Sequence, residues 1–307
     1  MDLIECKTKF KDGLLTKSDY MDQVYDLHLS LFNFAKYIKN TDISRIEIKN
    51  ENIVFILKNG IKLECNSPDK GSAAFAILSL EFYERKEIKF ILKFLKKNMI
   101  FFDIGANIGF HSLNVAKHDE SITIHSFEPI PEIFFNLNNN ILLNEIKNIN
   151  TYNFGISNEN NNASFYFNPN SSGATSLKKL LDSSKVKLVQ SKVVTLDQFM
   201  IDNRIQQLDF IKCDVEGAEI LVIQGGIDTI RKQKPIIFLE MLRKWSHKFN
   251  YHPNDIIKIL TDLNYCCFTI NEENLSIFNA MDENTIDTNF FFLHEDKHIE
   301  EIKKWVI

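Results

Sequence analysis

The stretch Met99-Ile100-Phe101-Phe102-Asp103-Ile104-Gly105-Ala106-Asn107-Ile108-Gly109 decides how this chain is read. Met99–Ile104 has the length and bulk of a buried strand, and a helical pattern begins near Gly109. Two glycines at the handover let the backbone turn sharply and approach a ligand. In open α/β sheets, ligands bind beyond the carboxyl ends of the strands, where the strand order reverses. A plain strand–helix turn that uses glycine only for its geometry remains open at this point.

Downstream, Ile122–Phe127 reads as a second strand, and Phe127-Glu128-Pro129 closes it, with Glu128 nineteen residues after Gly109. An acid there can accept both ribose hydroxyls of an adenosine cofactor. The turn is GxNxG, not the GxGxxG whose bare N–H groups bind a pyrophosphate at a helix start. Asp103 at the strand end suits a cation, such as the sulfonium of S-adenosylmethionine, better than a phosphate. An NAD-dependent oxidoreductase would share Glu128, but no Tyr/Lys or His catalytic pair is evident. A non-catalytic cofactor-binding module is the other alternative.

Further candidate strands are Asn150–Phe154, Ala163–Phe167, Lys187–Val194, Leu208–Cys213 and Ile236–Leu239. A helix is expected over about Pro131–Asn144 and another over Pro253–Leu263, and Tyr265–Ile270 with Asn289–Leu293 reads as a closing strand pair. Such alternation predicts a mostly parallel sheet with helices on both faces. Ahead of it, residues 19–40 carry apolar side chains at three- and four-residue spacing. Runs 44–48, 53–57 and 61–65 are short strands, the last two joined across Asn59-Gly60, a hairpin signal. Residues 72–97 read as one helix, with Phe75, Leu78, Phe82, Ile88, Ile91, Leu92 and Leu95 on its apolar side. The expected division is an α+β extension over 1–98, its last helix a bridge, and one large domain over 99–307.

The chain has 307 residues, 44% hydrophobic and 25% charged, the balance of an ordinary globular protein. Net charge is -5, and no basic block interleaves with aromatics, which argues against broad capture of nucleic acid. Five scattered cysteines, Cys6, Cys65, Cys213, Cys266 and Cys267, form no CxxC pair and suit reduced thiols in a cytoplasmic protein. No run approaches the roughly 18 apolar residues of a membrane span, and the N-terminus lacks a signal-peptide pattern.

The segments DIGANIGFHS (Asp103–Ser112), FEPIPEIFFNLNNNILLN (Phe127–Asn144), SGATSL (Ser172–Leu177), VVTLDQF (Val193–Phe199) and DFIKCDVEGAEILVIQGG (Asp209–Gly226) together resemble the FkbM family of methyltransferases. The resemblance covers roughly residues 99–241. It implies a Rossmann-like class I methyltransferase fold with a seven-stranded sheet, S-adenosyl-L-methionine as donor, and O-methylation of a small molecule, sugar or surface-glycan precursor. By position it implies that Asp103, Gly105, Asn107 and Gly109 form the cofactor loop and that Glu128 accepts the ribose. Asp214 and Glu216 would lie beside the methyl group. Cys213 stands where similar sequences often carry an aliphatic residue, a tolerated core change.

An alcohol is a poor nucleophile at neutral pH and needs a base within hydrogen-bond reach. Asp214 and Glu216 follow the strand Leu208–Cys213 directly, and Glu216 is the first candidate for that base. Helix capping by Asp214 and a favourable dipole interaction for Glu216 are the structural alternatives. Glu240, at the end of the next strand, would join them. The three acids could instead hold Mg²⁺, a possible but not favoured partner. His111 and His247 are further base candidates. The Ser171–Ser176 run is a candidate ligand loop or an ordinary hairpin loop. Trp245 and Tyr251 could form a sugar-stacking surface, with core packing the default. A homo-oligomer is possible.

Overall fold

A computed structural model describes residues 2–50, 52–65, 69–81 and 83–307. A three-stranded antiparallel sheet comes first, β1 (Ile43–Ile48), β2 (Ile53–Leu57) and β3 (Lys62–Cys65). Then come β4 (Ile100–Ile104), β5 (Thr123–Phe127), β6 (Ile149–Tyr152), β7 (Gly155–Ser157), β8 (Asn161–Phe167), β9 (Lys187–Thr195) and β10 (Phe210–Cys213). The last four are β11 (Ile236–Glu240), β12 (Tyr265–Asn271), β13 (Asn274–Ile277) and β14 (Asn289–His294).

The main sheet runs β13-β12-β14-β11-β10-β4-β5-β6. Its five strands from β11 to β6 are parallel, and β14, β12 and β13 close the other edge antiparallel. This is the Rossmann-like class I arrangement, with eight strands among the described residues rather than seven. The extra strand is β13, which folds back on β12 through a tight turn where Glu272 takes φ +54. Strands β7, β9 and β8 form a separate small sheet, so Ala163–Phe167 and Lys187–Val194 lie outside the main one.

Alternation along the central strands divides the core in two. Phe102, Ile104, Phe127, Ile211, Cys213, Ile237 and Leu239 pack on one face with the helices Leu196–Asp202, Glu219–Gly225 and Pro253–Thr261. Phe101, Ile124, Phe210, Ile236 and Phe238 pack on the other with Arg85–Phe94 and Phe110–His118. Strands buried on both faces must be apolar throughout, as these nearly are. All five cysteines are free, and among the described residues no helix is long and apolar enough to cross a membrane.

The single helix expected over 72–97 is two. Ala73–Ser79 starts where the Ser72 hydroxyl accepts the Phe75 N–H (3.2 Å), and Arg85–Phe94 follows a break. Glu84, at φ 45, turns its carboxylate inward toward His111, which a continuous helix would not allow. Phe82, one of the expected apolar positions, lies outside the described residues. Upstream, Lys17–Tyr37 is one helix, begun by a Thr16/Asp19 capping box.

Candidate active site

Parallel register puts Asp103 beside Lys212 on one side and Ser126 on the other. Asp103 is fully buried and accepts from the Ser112 hydroxyl (2.5 Å) and backbone N–H (3.2 Å), while Lys212 Nζ lies 3.3 Å from its second oxygen. The Ser112 hydroxyl also bonds to that of Ser126 (2.7 Å). Lys212 donates to the Gly105 carbonyl (2.8 Å) and lies 3.8 Å from Asp214. Burial favours the neutral amine, but Asp103, Asp214 and Glu84 outweigh it and hold Lys212 charged.

Above this buried layer the strand ends open into a cavity of about 440 Å³. Its floor is the turn after β4. Gly105 (φ +77) donates to the Phe127 carbonyl, and a side chain there would strike the Asp214 carbonyl at 1.9 Å, so only glycine fits. Asn107 (φ 49) presents its N–H to Glu128 Oε2 at 3.1 Å, and Ile130 N–H reaches Oε1 at 2.9 Å. Glu128 is thereby fixed against the cavity wall. Its burial raises it to about 7, in spite of these two hydrogen bonds.

Asp214, Glu216 and Glu240 line the same cavity, with one carboxylate oxygen of each within 4.8 Å of the others. Asp214 Oδ1 and Glu216 Oε2 have no hydrogen-bond partner among the described residues. Burial, then the Asp214 charge, pushes Glu216 up to about 9, and burial with both neighbours holds Glu240 well above the usual carboxylate range. At neutral pH, therefore, Glu216 holds its proton unless a cation enters. Glu216 sits at φ 54, a left-handed backbone that costs about 1–3 kcal/mol in a non-glycine residue.

Neither structural alternative for these acids describes them. The helix after the loop begins at Glu219, and Glu219 itself reaches back to accept the Val215 and Gly217 N–H groups (3.1 and 3.0 Å). The Tyr251 hydroxyl donates to its other oxygen (3.1 Å). Glu219 thus brackets the loop and frees Asp214 and Glu216 for the cavity.

The remaining candidates divide. Gly105, Asn107, Glu128, Asp214, Glu216 and Glu240 meet at the cavity, as do His111 and Trp245. Asp103 does not line it, because Ser112 and Lys212 occupy its carboxylate. Gly109 (φ +90) only begins the helix Phe110–His118, where a side chain would meet Leu137. His247 is exposed on a 3₁₀ turn away from the lining, and Tyr251 is held by Glu219. The run 171–175 lines the cavity, with the Ser172 hydroxyl buried and without a hydrogen-bond partner among the described residues. It is clasped by the N-terminal segment: Asp69 accepts the N–H of both Gly71 and Ser172 at 3.0 Å.

Lys212 and Glu84 were not among the candidates. Lys212 carried a signal, a lysine inside an otherwise apolar strand. Glu84 carried none in the local sequence; its carboxylate lies 3.1 Å from His111 Nε2. Burial opposes its charge, but His111 and Lys212 keep Glu84 below the usual carboxylate range.

Among known proteins, the model of the methyltransferase FkbM domain matches residues 103–267. The chain is 26% identical over 140 residues to Methyltransferase 1 of Beauveria bassiana, 40% of this chain and 56% of that protein. It therefore spans about half the length of that curated relative. It is also similar to the crystal structure of methyltransferase FkbM from Methylobacillus flagellatus (TM-score 0.42, 16% identity, 67% of this chain and 47% of that one). A SAM-dependent O-methyltransferase from Thermotoga maritima is similar over 81% of this chain and 85% of its own (TM-score 0.38, 12% identity).

Proposed function

Because this chain belongs to the FkbM methyltransferase family, we propose that it transfers a methyl group from S-adenosyl-L-methionine to a hydroxyl of a small molecule, with a sugar or glycan precursor as the acceptor class. The observation that carries the reading is the convergence of the Gly105–Asn107 turn, Glu128 and three acids on one cavity. Only part of that acidity is answered by Lys212, so the cavity suits a ligand that brings positive charge. S-adenosyl-L-methionine carries a sulfonium and an ammonium, and the donor set fits it.

Glu128, anchored through two backbone N–H groups, keeps lone pairs for ribose hydroxyls. Gly105 and Asn107 let the main chain come close to the ligand. The donor supplies an electrophilic methyl carbon. The chain's own part is to align the acceptor hydroxyl, worth about 7–11 kcal/mol of barrier, and to remove its proton. Glu216 is the proposed base, since one of its oxygens is free and positive charge in the cavity would favour its ionised form. Asp214 and Glu240 would hold acceptor hydroxyls, and Trp245 offers a face for a sugar ring. Residues 1–98 are proposed as an extension that completes the cavity through the clasp at Asp69.

The test is calorimetric titration with S-adenosyl-L-methionine, its demethylated product and NAD⁺, followed by labelled-methyl transfer to a panel of nucleotide sugars, with and without EDTA. Binding of the first two alone, with transfer to a hydroxyl, is the expected result. Binding of NAD⁺ alone would refute the donor, and loss of transfer in EDTA would assign the acids to a cation.

A further inference from the structure

The helix Lys17–Tyr37 contains no buried residue. Its substantial packing is against Leu3–Lys11, through the Phe10–Tyr20 ring stack and the Cys6 thiol on Gln23, and Tyr37 is tied to the Ser79 carbonyl. Those contacts leave another side bare. There Met21, Tyr25, His28, Phe32 and Ala35 follow one another at steps of four, three, four and three, the spacing of a coiled-coil seam. Leu31 flanks them; Met21, Tyr25, Leu31 and Phe32 are 55%, 58%, 52% and 55% exposed. Such side chains, with Leu29 beside them, leave roughly 500 Å² of apolar surface per chain, toward the upper end for a lone monomer.

We propose that this strip pairs with the same strip of a second copy, antiparallel, about a two-fold axis near residues 29–30. Two copies would cover roughly 1,000 Å², the threshold for a specific interface. Charge fixes the direction. Asp22 and Lys36 lie on the same edge of the strip, an edge that faces itself in an antiparallel pair. Asp22 of each copy then meets Lys36 of the other, which the self-complementarity of a two-fold interface requires. A parallel pair would instead set Lys36 against the apolar Leu31 of the other copy and leave it without an acidic partner. An anionic membrane is a poorer occupant, because the helix carries three aspartates against two lysines.

Sedimentation velocity on the full chain should show a dimer. Phe32→Glu, at an exposed position, should raise the dissociation constant at least ~100-fold with circular dichroism unchanged. Asp22→Lys should raise it roughly tenfold, and adding Lys36→Asp in the same chain should restore it. A wild-type chain monomeric at about 100 µM overturns the proposal. So does a dimer indifferent to Phe32→Glu, a double swap that fails to restore pairing, or a monomer that floats with phosphatidylserine vesicles through this helix.

Discussion

A buried lysine and a half-buried glutamate illustrate opposite uses of charge. Lys212 is an ion kept fully charged where water cannot reach it, and Asp103 is its nearest counter-charge. Replacing Lys212 by Met leaves Asp103 buried with hydroxyl and N–H donors but no cation, which should cost about 3–5 kcal/mol; thermal unfolding with and without the substitution measures it, and an unchanged midpoint refutes the pairing. Glu216 is the reverse, an acid whose surroundings favour its neutral form. If it is the base, Glu216→Gln should lower turnover by about 10²–10⁴-fold while calorimetry shows donor binding intact. Turnover within a few-fold of wild type would remove it from that role.

At the scale of elements, the strand–turn–helix after β4 holds the cavity together, and its constraint is steric. Gly105→Ala would bring a methyl group to 1.9 Å from the Asp214 carbonyl and impose φ +77 on a residue with a side chain. Donor affinity should fall by at least about tenfold, since the loops after β4 and β10 must separate; unaltered affinity would show that the two loops are not jointly needed. This turn was legible in the sequence because its information is local. Strand, glycine and helix are contiguous, and Glu128 and Asp214 each follow directly on a strand that can be read. Whatever depended on distant register was not legible. Lys212 was absorbed into an apolar run, since its partner Asp103 is set by the β4–β10 pairing. Glu84 required a helix break that no glycine or proline announces. Glu219, not Asp214, caps the DVEG loop because a side chain two residues past Gly217 can fold back where Asp214 cannot. The antiparallel edge was partly legible, with β12 and β14 foreseen and β13 hidden in a short polar turn.

For the molecule as a whole, the site's acids make stability a function of pH. Glu216 rises to about 9, and Glu128 and Glu219 to about 7, each chiefly through burial. The folded chain therefore holds protons that the unfolded chain releases near pH 4.3. More protons bound in the folded state means that stability falls as pH rises. Their contribution is complete below about pH 4.3 and is lost progressively up to each folded value, with a slope of at most about 1.4 kcal/mol per pH unit per group. Between pH 5 and 7 all three groups act together, and between 7 and 9 Glu216 carries the slope; Glu240, raised by burial and its acidic neighbours, acts in the same direction. The melting midpoint of the free protein should accordingly decline from pH 5.5 to 9. Glu216→Gln, which cannot ionise, should flatten the decline above pH 7 and make it shallower below, where Glu128 and Glu219 still titrate. A cationic ligand should flatten it too, because it stabilises the ionised acids that the empty cavity disfavours. A midpoint that rises through this range, or a Gln variant that tracks the wild type above pH 7, would mean that the cluster is solvated and that Glu216 titrates as an ordinary carboxylate.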